Sequence, residues 1–129
     1  MLSERDRRII DAPNFASVAT LMPDGSPQVS TIWIDRDGDD ILFNTAEGRV
    51  KTENLLRDGR VAISVFDQGD HDEQVIVRGR VVDLTTEGAD AHIDFLAKKY
   101  LGADSYPNKI GPQGRVILKI APDKVNLAG

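Results

Sequence analysis

Cysteine is missing from all 129 residues. Its absence removes disulfides, thiolate metal sites and a cysteine nucleophile, and agrees with a reducing, cytoplasmic setting. Aromatic residues make up only 5% of the chain, and tryptophan occurs once, at Trp33. No apolar run approaches the length of a bilayer span, so no membrane partner is expected. The opening residues, MLSERDRRII, carry charge where a signal peptide needs an apolar stretch, which argues against export. Excess positive charge is lacking too: the formal net charge is -5. That argues against a nucleic-acid binder working through bulk electrostatics, although it leaves room for a small basic pocket. GxSxG, HExxH and Walker sequences are also absent, so no catalytic side chain and no metal ligand can be named from a motif.

What remains is an ordinary globular composition, 40% hydrophobic and 29% charged, expected to form one domain over residues 1–129. Ser3 and Asp6 form a capping-box pattern for a short first helix that Pro13 ends. Strand-like runs follow at Phe15 to Leu21, Pro27 to Asp35 and Ile41 to Thr45, separated by Pro-Asp-Gly and Asp-Gly turn chemistry. A short helix then leads to RVAISVFD (Arg60 to Asp67). An acidic loop, QGDHDE, precedes a fifth strand over Gln74 to Leu84. Ala89, Ile93, Leu96 and Tyr100 form one apolar stripe on a helix expected over Thr86 to Leu101, with Gly102 placed to stop it. After the loop ADSYPNKIGPQG comes a sixth strand, Gly114 to Pro122, and KVNLA offers a short seventh. Six main strands joined mostly by tight turns predict a mainly β fold, an antiparallel sheet closing into a small barrel with short flanking helices. Val61, Ile63 and Val65 face one side of the fourth strand, and Ala62 and Phe66 the other. A strand apolar on both faces predicts a covered outer surface, and a homodimer is the economical cover.

Two stretches could carry chemistry. In Gly48-Arg49-Val50-Lys51-Thr52-Glu53-Asn54-Leu55 two cations stand at the start of a helix, where the dipole is already positive. Gly48 can take the backbone angles of a tight entry. Arg49, Lys51, the Thr52 hydroxyl and the first helical N–H groups could then converge on one phosphate. The plainer alternative makes both cations surface residues, with Arg49 paired to Glu53 one turn on. In Gln28-Val29-Ser30-Thr31-Ile32-Trp33, polar residues interrupt the middle of a strand. Either a planar heteroaromatic ligand satisfies them against Trp33, or they bond cross-strand neighbours and Trp33 is core. Arg78 and Arg80 share one face of the fifth strand, as a second basic patch or a solvated edge. His71 among Asp70, Asp72 and Glu73 reads as a solvated acidic turn rather than a metal site, and nothing nearby marks His92 as a base.

The succession FASVATLMPDGSPQVSTIWI, ILFNTAEGRVKTENLLRD, RVAISVFD and VRGRV resembles the pyridoxamine 5'-phosphate oxidase-like split β-barrel flavoproteins. Within them it resembles the actinobacterial branch that uses the deazaflavin coenzyme F420. The resemblance runs from about Phe15 to Ile120, and its most specific piece is T-x-x-G-R-x-K-x-x-N-L, Thr45 to Leu55. It implies a homodimer with cofactor at the subunit interface. Arg49 and Lys51 would hold the cofactor phosphate, with Thr52 and Asn54 in support. Gln28, Val29, Ser30, Thr31, Ile32 and Trp33 would run beside the ring, and Asn44 and Thr45 would line its pocket. The implied activity is hydride transfer from reduced F420 to an electron-poor small molecule: an enone, quinone or tetrapyrrole-like compound. An FMN-binding reductase or oxidase, or a non-catalytic flavin carrier, is the alternative. Pyridoxamine phosphate oxidation itself is not expected. The sequence stops at KVNLAG, short of the region that binds substrate phosphate in such oxidases, and it lacks the tryptophan many F420-dependent relatives carry near the C-terminus.

Overall fold

The computed structural model describes residues 1–106 and 114–126; most of the expected loop (107–113) and the end of KVNLA (127–129) lie outside the described residues. The elements follow the order α1 (Glu4–Asp11), β1 (Ala16–Leu21), β2 (Pro27–Ile32), β3 (Ile34–Asp37), β4 (Asp40–Ala46), α2 (Val50–Arg57), β5 (Arg60–Asp67), β6 (Asp70–Thr85), α3 (Ala89–Leu101) and β7 (Arg115–Val125). The capping box forms as expected: Ser3 Oγ accepts from the Asp6 amide at 3.0 Å, and the Asp6 carboxylate accepts from the Ser3 amide at 3.0 Å. Gly102 ends α3 in the left-handed region, at φ 70.

All strand pairs are antiparallel, in the order β2-β1-β5-β6-β7-β4-β3. The strands number seven rather than six because PQVSTIWID breaks at Trp33. Ile32 is the last residue paired with β1, and Ile34 the first paired with β4. β2 and β3 are thus joined through one residue yet occupy opposite edges of the sheet. The sheet must curl to bring those edges together, which gives a split barrel. The expected acidic loop is shorter than the sequence suggested, since Asp70 already begins β6. The expected seventh strand is the continuation of β7 to Val125, after which Asn126 turns at φ 57.

Val18, Ile63, Val65, Val75, Val77, Leu118 and Ile120 fill the barrel with Ile34, Ile41 and Phe43. Ile9 and Ile10 of α1 and Leu55 of α2 join the same cluster. In β5 the alternation is as expected: Val61, Ile63 and Val65 are buried, while Phe66 is 44% exposed. α3 lies on β7 and β4.

Two side chains of α3 hold the break after Trp33. Tyr100 Oη accepts from the Ile34 amide at 3.1 Å and donates to the Asn14 carbonyl at 2.7 Å. Lys99 Nζ donates to the carbonyls of Ile10 and Ile34, each at 2.7 Å, tying α1, β3 and α3 together. Burial brings the Lys99 ammonium down to about 8 and pushes the Tyr100 phenol up to about 12.

Two outcomes are expected from this architecture. Gly79 pairs with Val61 on one side and Pro122 on the other, where β6 slips in register. A methyl group there would run into the Ala121 carbonyl, which is backbone and cannot swing away. Gly79→Ala is expected to lose about 1–3 kcal/mol in a denaturant titration, the usual range for overpacking. Lys99 gives a pH signature. The folded chain releases its proton near pH 8, whereas an ordinary lysine holds it to 10.5. Between those values the unfolded state binds more protons, so the Lys99 contribution makes stability rise with pH. Denaturant midpoints at pH 8 and pH 10 should show that rise in the wild type, and a smaller one in Lys99→Met.

Candidate functional site

The start of α2 is built without its own cap. Gly48, at φ 85, turns the chain in a way side-chain-bearing residues resist. Arg49 then occupies the capping position and makes no side-chain hydrogen bond to the free amides. Beside it opens a cleft of about 250 Å³, with Lys51 and Arg115 on its wall as well as Arg49. β4 carries Thr45 and Ala46 opposite Val116 and Arg115 of β7, and this pairing brings the third cation to the helix entrance.

The three cations crowd one another. Burial holds the Lys51 ammonium below the usual lysine range, and the positive charges of Arg49 and Arg115 add to the effect. Burial also lowers Arg115, with Arg49 contributing. None of the three makes an ion pair with a carboxylate among the described residues, so the expected alternative of an Arg49–Glu53 pair is not what forms. Such a cluster at the positive end of a helix suits an anion with several acceptor oxygens.

Trp33 supplies the apolar side. Its ring stacks on Tyr100 at 5.2 Å between centroids, with an interplanar angle of 6°, and meets Tyr106 edge-on at 5.8 Å. Phe15 adds to this wall and packs on Tyr100 at 5.6 Å. Asn44 stands between the apolar and cationic parts. Its Nδ2 donates to the Ala89 carbonyl at 2.8 Å and lies 3.2 Å from His92 Nδ1, while its Oδ1 accepts from Arg115 Nε at 2.8 Å. His92 Nε2 lies 3.2 Å from Asp35 Oδ2. Burial works to raise the Asp35 carboxyl, but the hydrogen bonds from His92 and the Arg36 amide outweigh it and leave Asp35 below its usual range.

Of the residues singled out by sequence, the fold brings Thr31, Ile32, Trp33, Asn44, Thr45, Arg49 and Lys51 to the cleft. Gln28, Val29, Ser30, Thr52 and Asn54 do not line it. Gln28 Oε1 accepts from Thr20 Oγ1 at 2.7 Å, Val29 is 66% exposed, and Ser30 Oγ is buried without a hydrogen-bond partner among the described residues. Thr52 Oγ1 donates to the Ala46 carbonyl at 3.0 Å, which ties α2 to β4. Asn54 is buried and donates to Thr20 Oγ1 at 3.0 Å, which ties α2 to β1. In these two residues the motif serves the scaffold. Arg60 and Arg78 line a separate, more apolar groove with Ala19, Leu21, Pro27 and Ala62. Among the described residues no His, Asp and Glu group could hold a metal ion, and no helix is long and apolar enough to cross a membrane.

Sequence reasoning missed Phe15, Ile93, Tyr106 and Arg115, all of which line the cleft. Arg115 had one weak signal, a cation opening a strand otherwise apolar in alternate positions. Nothing local linked it to Arg49, because the link is the β4–β7 register.

Comparison with known proteins agrees with the fold. The chain is similar to an F420 reductase structure, with 29% sequence identity, 93% of this chain and 94% of the other covered, and a TM-score of 0.82. At fold level it is similar to a candidate pyridoxamine 5'-phosphate oxidase from Lactobacillus delbrueckii, with 22% identity, 98% and 93% coverage and a TM-score of 0.68. HupZ of Group A Streptococcus matches over 97% of this chain and 92% of its own, with 19% identity and a TM-score of 0.68. Curated protein sequences give no match. The family model for pyridoxamine 5'-phosphate oxidase matches residues 2–129, nearly the whole sequence. The chain therefore belongs to the pyridoxamine 5'-phosphate oxidase-like family of split-barrel proteins.

Proposed function

We propose that this chain is a reductase that holds coenzyme F420 by its phosphate at Arg49, Lys51 and Arg115 and serves an electron-poor small molecule. The family and the F420 reductase neighbour support a flavin- or deazaflavin-type oxidoreductase. The observation that carries the finer reading is the cluster of three cations on one cleft, Lys51 and Arg115 half-buried and Arg49 exposed, with no carboxylate ion pair among the described residues. When bound, the deazaflavin supplies the hydride. The protein's part is placement. Arg49 and Arg115 offer planar forks to phosphate oxygens and Lys51 a compact charge. Thr31 and Thr45 offer hydroxyls along the wall, while Trp33 and Phe15 would shield a bound ring from water. No side chain is assigned as an acid or base, and solvent supplies any proton.

FMN is the second reading, since the same cluster suits its phosphate; the 29% identity to an F420 reductase over almost the full length of both chains favours F420. A homodimer with the cleft at its interface belongs to the proposal. The outward face of β5, where Phe66 is 44% exposed, and the exposed Val29 support it. Light scattering on the purified chain tests it, and a monomer would sink that part.

The test of the cofactor is a parallel titration with F420 and FMN, followed by Trp33 fluorescence. Tighter binding of F420 is expected, and absence of binding by either would end the proposal. Two substitutions separate ligand binding from scaffold. Lys51→Met removes an ammonium that burial disfavours, so melting temperature should hold or rise while F420 affinity falls about tenfold or more. Thr52→Val should do the reverse, losing about 1 kcal/mol of stability with the Ala46 hydrogen bond while affinity stays near wild type. Undiminished affinity in Lys51→Met would refute the phosphate assignment.

A further inference from the structure

Asn44 has no freedom left in its amide. Nδ2 carries two N–H groups, and they face two acceptors, the Ala89 carbonyl at 2.8 Å and His92 Nδ1 at 3.2 Å. Oδ1 receives Arg115 Nε at 2.8 Å. For His92 Nδ1 to accept, it must be bare, which places the imidazole proton on Nε2, facing Asp35 Oδ2 at 3.2 Å. Asp35 thus sets the tautomer, His92 sets the orientation of Asn44, and Asn44 aims Arg115. With Nε engaged, the outer guanidinium nitrogens of Arg115 make no hydrogen bond among the described residues and are left for the cleft, and the Tyr106 ring lies 5.4 Å from the guanidinium carbon.

We propose that His92 and Asp35 are positioning residues for the anion site, and that the neutral imidazole of His92 is the state in which Arg115 is held ready to bind. The inference rests on reading the cleft as a phosphate-type anion site. A proton added at Nδ1 would set an N–H against the Nδ2 of Asn44, donor against donor. Asn44 would have to turn its oxygen toward His92, and its NH₂ would then face Arg115 Nε, again donor against donor. Arg115 would lose its acceptor and leave its alignment.

The charges around His92 bear on the sign. Asp35 on β3 faces it directly, and Lys99, on α3 itself, lies close enough to Asp35 to stabilise that carboxylate. Arg115 on β7, beyond Asn44 of β4, opposes a new positive charge, and Asp90 on α3 lies near Arg115. Phe95 stacks at 6.5 Å and adds no charge. An imidazolium at this position is neutralised by Asp35 beside it, so it adds little long-range attraction for an anion. The loss of Arg115 alignment acts directly, and acid is therefore expected to weaken binding.

Inorganic pyrophosphate is the probe, because it tests the anion site without requiring that the ligand be a flavin. Its affinity is measured by calorimetry between pH 8 and pH 5.5, the range in which histidines change charge. The probe itself titrates there, so the comparison is between proteins at each pH. Wild-type affinity should fall toward pH 5.5 by about tenfold more than that of His92→Asn. The asparagine oxygen can accept from Asn44 but cannot titrate, so this variant keeps the acceptor at both ends of the pH range. His92→Phe, which removes the acceptor, should bind about tenfold more weakly than wild type already at pH 8. Identical pH profiles for the wild type and His92→Asn would overturn the proposal, as would full affinity at pH 8 in folded His92→Phe. Failure of pyrophosphate to bind the wild type would overturn it too. Binding of pyrophosphate with neither F420 nor FMN would refute the cofactor reading and leave this one standing.

Discussion

A single residue connects the two edges of the sheet, and the rest of the molecule is arranged around that constraint. β2 and β3 flank Trp33 in sequence, yet five strands separate them in the sheet. A flat sheet cannot satisfy that connectivity, so the sheet curls until its edges meet. Among the described residues no ladder seals the seam. The backbone groups of Ile34, at the seam, are taken up by Tyr100 and Lys99 from α3. Half-burying an ammonium to satisfy two carbonyls supplies the seam with partners that the sheet does not provide. The stacking of Trp33 on Tyr100 closes the same corner.

The cleft beside this seam departs from the electrostatics of the rest of the chain. Acidic residues outnumber basic ones, 21 to 16, so partners for cations are not scarce. Elsewhere they are used: Arg36 pairs with Asp11, Arg60 with Asp58 and Lys119 with Asp37. Arg49, Lys51 and Arg115 are instead gathered at a helix start, Lys51 and Arg115 half-buried and Arg49 exposed beside them. A local conflict of this kind, in a chain that resolves such conflicts elsewhere, supports the proposed anion site. Asn44 is the point at which the scaffold grips the site, since it reaches α3 with one end of its amide and Arg115 with the other.

Much of the fold was legible because its signals are local. The alternation in VAISVF, the Asp-Gly turns, the Ser3–Asp6 box and the stop at Gly102 each depend on residues a few positions apart. The strand break at Trp33 was not legible, since nothing in PQVSTIWID announces that its two halves pair with different partners. The site divided along the same line. Arg49 and Lys51 declared themselves through an energetic oddity confined to one helix turn. Thr52 and Asn54 belong to the same motif, but which motif residues face a ligand and which face the barrel depends on what packs against α2.

The sequence by itself determined the β-rich class, the short helices, the absence of cysteine chemistry and the placing of two cations at a helix start. These follow from composition, periodicity and capping, which are properties of neighbouring residues. Only the tertiary structure decided that Arg115 completes the cationic cluster, that Phe15 and Tyr106 share a wall with Trp33, and that Asp35, His92 and Asn44 form one hydrogen-bonded line toward it. Strand register and helix docking join residues far apart in the chain, and that joining is fixed by how the whole sheet buries its core, which no single stretch of sequence encodes.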